Sequence, residues 1–120
     1  MFQAQITSIE KGRVIAEMKL SKEHCNILNT LHGGLSATLV DHFTSLTLIS
    51  HFYAEGKEPP DSASIELSMS YLSAIPEGRE IRIEAENLRV GRKLAFLSAK
   101  IYDKQSGKLS VSGKHTKFIL

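Results

Sequence analysis

The sequence predicts an α+β domain in which a curved antiparallel sheet of five to six strands wraps around one long central α-helix. Apolar residues recur at every second position through most of the chain, and they follow helical spacing only between about residues 34 and 52. Short turns join the alternating segments, which favours antiparallel neighbours. The single helix must then cover the apolar face of the sheet. With 120 residues, the chain is predicted to be one domain, residues 1–120.

Two predicted strands open the chain. Their alternating apolar residues are Phe2, Ala4 and Ile6, followed by Val14, Ala16, Met18 and Leu20. Between them the stretch E-K-G-R, residues 10–13, supplies a turn. Residues 21–31 follow neither period and are predicted to form a loop that leads into the helix.

The helix is predicted to span residues 34 to about 52. Its apolar stripe consists of Leu35, Leu39, Phe43 and Leu46, widened by Val40 and Ile49. The stretch E-G-K-E-P-P-D, residues 55–61, ends the helix because its two prolines cannot continue one.

Four further strands are predicted after the helix, near residues 65–71, 81–85, 94–102 and 109–118. The third of these is apolar on both faces, as a strand in the middle of a sheet would be. Apolar positions on both faces of the later strands predict that the outer face of the sheet packs on another subunit.

The charge of the chain is mildly basic, with a net charge of +2 and a pI near 8.7. That balance alone is too weak to predict nucleic-acid binding, and it suits a polyanionic small ligand equally well. The turn G-R-K, residues 91–93, could meet phosphates, although a solvated turn is the alternative. Only Phe96 follows this turn closely, so no platform for stacking nucleic-acid bases is predicted.

Cys25 is the single cysteine, which excludes an internal disulfide and predicts a reducing compartment. The first ten residues do not follow the pattern of a signal peptide. The most apolar segment, residues 35–53, contains Asp41, His42 and His51, so no membrane insertion is expected. We therefore expect a cytoplasmic protein, with the mitochondrion as the alternative location.

The stretch L-H-G-G, residues 31–34, stands where the predicted loop becomes the helix. Gly33 and Gly34 have no side chains, so a ligand can approach the backbone closely. The first N–H groups of a helix have no acceptor within it, and the helix dipole adds partial positive charge. These residues predict a site for an oxyanion or a polarised carbonyl. A sharp turn without a ligand explains them equally well.

Asp41 is a carboxylate inside the predicted helix. Its neighbours one turn away are the small residues Ala37, Thr38, Thr44 and Ser45. A carboxylate among small side chains is a candidate general base or nucleophile. The alternative is an aspartate that is solvated or paired with a basic residue.

Gly33 and Asp41 cannot easily serve one reacting group in one chain. They are eight residues apart, which is about 12 Å along a helix. A reacting carbonyl needs its donor and its base both within about 3 Å. If both residues are catalytic, they come from different copies of the chain. A two-fold dimer with antiparallel helices would form this pair twice.

The histidines do not predict a metal site, because they lack the close spacing of metal ligands. They are His24, His32, His42, His51 and His115. Cys25 lies next to His24, but adjacent side chains usually point apart, which favours an incidental thiol over a Cys–His nucleophile. His32 is interpreted either as a residue that orients the glycine loop or as a purely structural one.

Four stretches carry a resemblance to a known family: residues 26–41 (N-I-L-N-T-L-H-G-G-L-S-A-T-L-V-D), 68–73 (S-M-S-Y-L-S), 93–96 (K-L-A-F) and 112–117 (S-G-K-H-T-K). In them the chain resembles the hotdog-fold acyl-CoA thioesterases of the phenylacetate-pathway type. The resemblance implies a hotdog fold and hydrolysis of medium- to long-chain fatty acyl-CoA to free fatty acid and coenzyme A. It also implies a homodimer with shared active sites, assembled into a homotetramer. No cofactor is implied, because coenzyme A is part of the substrate.

The resemblance further implies roles for single residues. Gly33 would donate its N–H to the thioester carbonyl, and Asp41 of the opposite subunit would act as general base or nucleophile. Asn26 and His32 would support the carbonyl, the loop and the attacking water. Ser64 would help to orient that water. The coenzyme A portion would be lined by Tyr71, Leu72, Ser73, Arg89, Val90, Gly91, Arg92, Lys93, Leu94 and Phe118.

Three other functions stay open at the level of sequence. The chain could be an aryl-CoA thioesterase, or a non-catalytic protein that binds acyl-CoA and docks a partner. It could also be a hydratase or dehydratase that acts on an acyl thioester, a chemistry that wants a histidine paired with an acid. His32 and Asp41 could mimic such a pair.

Overall fold

The computed structural model describes residues 3–120, in which one long helix packs against a six-stranded antiparallel sheet. The elements are β1 Gln5–Glu10, β2 Arg13–Lys19, α1 Gly33–Ala54, β3 Ser62–Tyr71, β4 Glu80–Val90, β5 Leu94–Asp103 and β6 Leu109–Ile119. The predicted α+β fold class and the order of its elements are confirmed. Phe2, predicted to begin the first strand, lies outside the described residues.

The sheet has the order β1-β2-β4-β5-β6-β3, so β3 does not lie beside the strand that follows it. Short connections predicted antiparallel neighbours throughout, and for β3 and β4 that prediction is wrong. The segment between them is held against the loop before the helix, since the Leu31 N–H donates to the Ile75 carbonyl and Ile75 is buried. Residues 72–79 therefore cross the domain, and β4 pairs with β2. β3 pairs with β6 instead and forms an edge of the sheet.

The core lies between α1 and the inner face of the sheet. Leu39, Val40 and Phe43 of the predicted apolar stripe are buried there. Ile49, predicted to widen that stripe, is 38% exposed. The buried side of the helix carries small hydroxyl residues as well, namely Ser36, Thr44, Thr47 and Ser50.

Small residues let the helix lie very close to β6. A Cβ atom built on Gly113 of β6 would lie 2.8 Å from the Val40 Cγ1 of the helix, closer than real Cβ atoms come. The Thr44 hydroxyl donates to the Val40 carbonyl at 2.7 Å, so this buried polar group is satisfied by the helix itself. The close contact brings side chains from the middle of α1 against β6.

The outer face of β5 and β6 carries exposed apolar side chains. Leu94, Phe96 and Phe118 are 37%, 40% and 37% exposed, and Leu94 stands opposite Phe118 in the ladder. The expectation that another subunit covers this face stays a prediction. In the part of the chain that the structure describes, no helix is long and apolar enough to cross a membrane.

Candidate active site

The start of α1 leaves one backbone N–H without an acceptor. The His32 N–H donates to the His24 carbonyl at 3.0 Å. The Nδ1 atom of His32 accepts from the Gly34 N–H at 2.9 Å and from the Leu35 N–H at 3.3 Å. Among the described residues, nothing accepts from the Gly33 N–H. Of the N–H groups that a helix start leaves unpaired, that of Gly33 is therefore the one free for a ligand.

His32 is the N-cap of α1 and sets the direction of the Gly33 N–H. Because its Nδ1 accepts two hydrogen bonds, the imidazole is neutral with its proton on Nε2. The ring thereby orients the glycine loop, which is one of the two roles predicted for it. A contact of His32 with a substrate carbonyl or a water stays a prediction.

Tyr71 holds Gly33 from its carbonyl side. Its hydroxyl donates to the Gly33 carbonyl at 2.9 Å, and a Cβ atom on Gly33 would lie 3.4 Å from its ring. Tyr71 stands at the end of β3, so the sheet and the N-cap together hold the residue Gly33. The resemblance predicted that Tyr71 lines the coenzyme A portion, and that role stays a prediction.

Asn26 organises the loop before the helix from within. Its side-chain oxygen accepts from the Leu28 N–H at 2.9 Å and the Thr30 N–H at 3.2 Å. Its amide nitrogen donates to the Thr30 hydroxyl at 3.0 Å. The side chain thus folds the loop on itself, and its predicted contact with a substrate or a water stays a prediction.

Asp41 lies on a different part of the helix surface from the free N–H. Its side chain is 52% exposed, and its Oδ1 lies 3.8 Å from Nε2 of His115. No lysine or arginine within residues 3–120 forms an ion pair with it. The carboxylate is therefore open to a ligand and is not held by a basic residue.

His115 joins Asp41 to Ser64, a contact that the sequence did not predict. The ring is fully buried, with Nε2 2.7 Å from the Ser64 hydroxyl and Nδ1 2.8 Å from the Thr44 hydroxyl. Burial lowers the pKa of His115, the nearby Asp41 charge raises it, and Lys117 lowers it again. The imidazole is therefore neutral at pH 7. Its position in the stretch G-K-H-T-K, on the same strand face as Gly113, was the available signal.

Lys117 is a second residue near the site that sequence patterns did not single out. It is only 8% exposed. Its Nζ donates to the Ser45 hydroxyl at 3.0 Å, and that hydroxyl donates to the Asp41 carbonyl at 2.8 Å. The Lys117 ammonium thus contacts the helix at Ser45, one turn after Asp41.

The residues predicted to line the coenzyme A portion fall into two groups at opposite ends of β6. Tyr71, Leu72 and Ser73 lie at its start, where Tyr71 stands opposite Val111. The turn of Arg89, Val90, Gly91, Arg92, Lys93 and Leu94 lies at its end, where Leu94 stands opposite Phe118. Seven residues of extended strand separate these positions, which is about 23 Å. One chain does not bring the two groups together.

The turn near Phe118 carries free positive charges. Arg89, Arg92 and Lys93 are exposed, and in the described part of the chain none of them forms an ion pair. The Lys93 Nζ lies 5.9 Å from the centre of the Phe118 ring. This end of the sheet can accept an anionic group.

Cys25 and His24 do not form a nucleophilic pair. Burial raises the pKa of the Cys25 thiol, and the Glu77 charge raises it further, so the thiolate is disfavoured. The Nδ1 of His24 accepts from the Ser21 N–H at 3.0 Å instead of facing the sulfur. Within residues 3–120 no group of three or more metal-ligating side chains comes together.

Comparisons with known proteins show the family and the fold. The thioesterase superfamily matches residues 28–110. A relative from Homo sapiens, acyl-coenzyme A thioesterase 13, is 40% identical over 114 residues, which cover 95% of this chain and 78% of the relative. The crystal structure of zebrafish thioesterase superfamily member 2 has a TM-score of 0.89 at 36% identity, and the match covers 98% of this chain and 82% of that one. A hypothetical thioesterase from Streptococcus pneumoniae, solved with coenzyme A, shares the fold with a TM-score of 0.88 at 24% identity, over 98% of this chain and 86% of that one.

Proposed function

Because the chain belongs to the thioesterase superfamily, we propose that it hydrolyses an acyl-coenzyme A thioester to a free acid and coenzyme A. The observation that carries this proposal is the Gly33 N–H, which has no acceptor in the described part of the chain and lies at a helix start. The relative named acyl-coenzyme A thioesterase 13 supports acyl-CoA as the substrate class.

In this proposal the Gly33 N–H polarises the thioester carbonyl. A donor fixed before the reaction stabilises the negative charge that develops on the carbonyl oxygen. Asp41 activates water as a general base or attacks directly, and Ser64 orients the water. His32 and Asn26 hold the loop and the Gly33 peptide in place.

Two copies of the chain complete each site. Gly33 is tied to the end of β3 through Tyr71, while Asp41 lies near Ser64 at the start of β3. An antiparallel pairing of two β3 edges about a two-fold axis would place the end of one strand beside the start of the other. Gly33 of the partner subunit would then approach Asp41, and the reverse pair would form by symmetry.

The edge of the sheet supports this pairing. β3 is ten residues long, and within the described residues its outer edge has no neighbouring strand. A long exposed edge strand is a template for pairing with another chain. The same two-fold axis would bring the Tyr71–Ser73 end of one copy to the Arg89–Leu94 turn of the other, which rejoins the two groups proposed to bind coenzyme A. The cations of that turn suit its phosphates.

An apolar stripe of the helix supports medium- to long-chain acyl groups as substrates. Ser45, Ile49 and Tyr53 follow Asp41 at intervals of four residues, on a line that turns about 40° around the helix at each step. Ile49 and Tyr53 are exposed, and with Ile9 they line an open groove of about 400 Å³. We propose that the acyl chain extends from Asp41 along this stripe. Aryl-CoA substrates are the alternative, which chain-length comparison distinguishes.

The two other functions have less support. For a hydratase, His32 and Asp41 could have mimicked the required pair, yet within one chain His32 caps the start of α1, about two and a half turns before Asp41. His115 does lie 3.8 Å from Asp41, but its side chain is fully buried and cannot reach a substrate. A non-catalytic acyl-CoA-binding protein would not need the free donor and the open carboxylate together.

The direct test is release of free thiol from a panel of acyl-CoA thioesters of increasing chain length, with phenylacetyl-CoA included. The wild-type protein is expected to release coenzyme A, and Asp41→Asn is expected to reduce kcat by ~10²–10⁴-fold, the range for a positioned acid–base group. Tight binding without thiol release over hours would support the non-catalytic alternative. Near wild-type turnover of Asp41→Asn would contradict the proposed mechanism.

The number of subunits in the assembly can be measured separately. Light scattering is expected to give a dimer, or the tetramer that two dimers would form through the outer faces. A stable monomer of 13.3 kDa with full activity would contradict the shared site.

A further inference from the structure

His115 is held by polar groups from two other elements of the fold. Thr44 of α1 lies at its Nδ1, and Ser64 of β3 lies at its Nε2, while His115 itself belongs to β6. Both nitrogens of the fully buried ring are therefore engaged. The positions of the protons in this chain of contacts decide which way the Ser64 hydroxyl points.

The proton of Thr44 is committed to the helix backbone. Its hydroxyl oxygen lies 2.7 Å from the Val40 carbonyl and 3.2 Å from the Asp41 carbonyl. Carbonyl oxygens only accept hydrogen bonds, so the single hydroxyl proton of Thr44 points to them. Towards His115, 2.8 Å away, the Thr44 oxygen must then accept. The proton of the imidazole is consequently on Nδ1.

The other ring nitrogen then determines the role of Ser64. A neutral imidazole with its proton on Nδ1 has a lone pair on Nε2, which accepts. The Ser64 hydroxyl, 2.7 Å from Nε2, must donate to it. The neutral state agrees with burial, which lowers the pKa of His115. Ser64 thus has its proton turned towards His115, which leaves its oxygen lone pairs available to accept from a ligand. The exposed carboxylate of Asp41 lies 3.8 Å from the same Nε2 atom.

We propose that His115 is a positioning residue that holds Ser64 as a hydrogen-bond acceptor for the water that attacks the thioester. This inference rests on the proposed hydrolysis and selects the general-base role for Asp41. One O–H of the water points to Asp41 and the other to Ser64, so an oxygen lone pair is directed at the thioester carbon. With the opposite tautomer, Ser64 could donate to the water oxygen and occupy the lone pair that must attack.

In this arrangement hydrolysis proceeds by addition of water and then loss of the thiolate. The water oxygen bonds to the thioester carbon as Asp41 takes one water proton, and the second proton stays on that oxygen, held by Ser64. When the carbonyl forms again, the carbon–sulfur bond breaks and its electron pair leaves with the coenzyme A sulfur. The proton held by Asp41 passes to that thiolate, which restores the carboxylate. His115 remains neutral and exchanges no proton.

The tautomer can be measured without any substrate. We expect long-range ¹H–¹⁵N correlation spectra of histidine-labelled protein near pH 7 to show His115 neutral, with its proton on Nδ1. His115→Gln assigns the signal by its disappearance. A proton on Nε2, or on both nitrogens, overturns the inference even if the protein is an active thioesterase.

Kinetics test the connection between His115 and Ser64. His115→Leu leaves the Ser64 hydroxyl free to rotate, so kcat is expected to fall by up to about 100-fold, as for a misplaced reacting group, with KM little changed. His115→Gln is expected to be faster than His115→Leu, because the glutamine oxygen can accept from Ser64. A Gln variant that is folded by circular dichroism but no faster than the Leu variant contradicts this.

A double-mutant cycle separates positioning from an independent role. If His115 acts only through Ser64, adding His115→Leu to Ser64→Ala is expected to lower kcat no further than Ser64→Ala alone. If the fall in kcat of the double variant equals the product of the two single falls, the inference is overturned. Absence of thiol release by the wild-type protein would instead overturn the proposed function, and the spectra would still report the tautomer.

Discussion

One backbone group, the Gly33 N–H, distinguishes the helix start from an ordinary capped one. The glycines and the helix dipole predicted an anion site from sequence alone. The resemblance implied Gly33 as the donor, but the residue pattern alone could not show which N–H stays free. That depends on the His32 ring, whose Nδ1 accepts from the Gly34 and Leu35 N–H groups. In the same way, the predicted strand near residues 109–118 contained His115, but nothing in the sequence placed its ring between Thr44 and Ser64.

The free donor can be removed with little other change. Gly33 is the first residue of the helix, where proline is tolerated. His32 has φ −67° and ψ 131°, which suits a residue before proline. Gly33→Pro is expected to lower kcat by about 10²–10³-fold, as for loss of one oxyanion donor.

Gly33→Ala is the matched control in the same thiol-release assay, because it adds a Cβ near the Tyr71 ring but retains the N–H. The control is expected to stay much closer to the wild-type kcat. Equal losses in both variants would show that the side chain matters and the donor does not.

The lowered pKa of His115 predicts that the protein loses stability as the pH falls. Its folded-state pKa lies below the ordinary value of 6.5, so below pH 6.5 the unfolded chain binds the proton more readily. The stability it contributes is complete above that pH and is lost as the pH falls towards the folded-state pKa. The free energy of unfolding should decline there by up to about 1.4 kcal/mol per pH unit from this residue.

Urea denaturation of the wild type and of His115→Gln on both sides of pH 6.5 measures this loss. The variant should have a flatter pH dependence, because it has no imidazole to protonate. Equal slopes in the two proteins would contradict the assignment of the acid sensitivity to His115.

The elements themselves were largely predictable, since period two and period 3.6 are read directly from the residues. The position of β3 was not. Its pairing depends on the route of residues 72–79, which the contact between Leu31 and Ile75 directs across the domain. The prediction that Ile49 is buried is wrong for a related reason: the helix meets β6 through small residues, and the buried side turns towards Thr44 and Thr47.

The close contact between α1 and β6 predicts a sensitive position. Gly113→Ala would place a Cβ atom 2.8 Å from the Val40 Cγ1 and 3.0 Å from the Met69 sulfur. The helix must shift, and overpacking of this kind costs about 1–3 kcal/mol. Urea denaturation should show this loss.

Ser112→Ala, the neighbouring position on the opposite face of the strand, is the control and should change stability much less. Val40→Ala removes the Cγ1 atom that a Cβ on Gly113 would contact. The loss in free energy of unfolding for Val40→Ala combined with Gly113→Ala should therefore be smaller than the sum of the two single losses. Full additivity would contradict the account of the contact.

For the whole molecule, the resemblance to hotdog thioesterases predicted from four short motifs is confirmed by the family match and by relatives such as that of Homo sapiens. The spacing of Gly33 and Asp41 predicted a site shared between two copies of the chain. The fold also separates Tyr71 from the Arg89–Leu94 turn, so the residues proposed to bind coenzyme A would come from two copies as well. Oligomeric state, cellular location and acyl preference stay predictions. They depend on surfaces and pockets that form between side chains from distant parts of the chain, or between copies.

Subunit complementation tests the divided site most directly. Gly33→Pro and Asp41→Asn are each expected to be nearly inactive alone. When the two are co-expressed in equal amounts, half of the dimers should be mixed, and one of the two sites in each mixed dimer should contain both native residues. Thiol release should then recover to about a quarter of the wild-type rate. No recovery in mixed dimers, confirmed by mass spectrometry, would contradict a site built from Gly33 of one copy and Asp41 of the other.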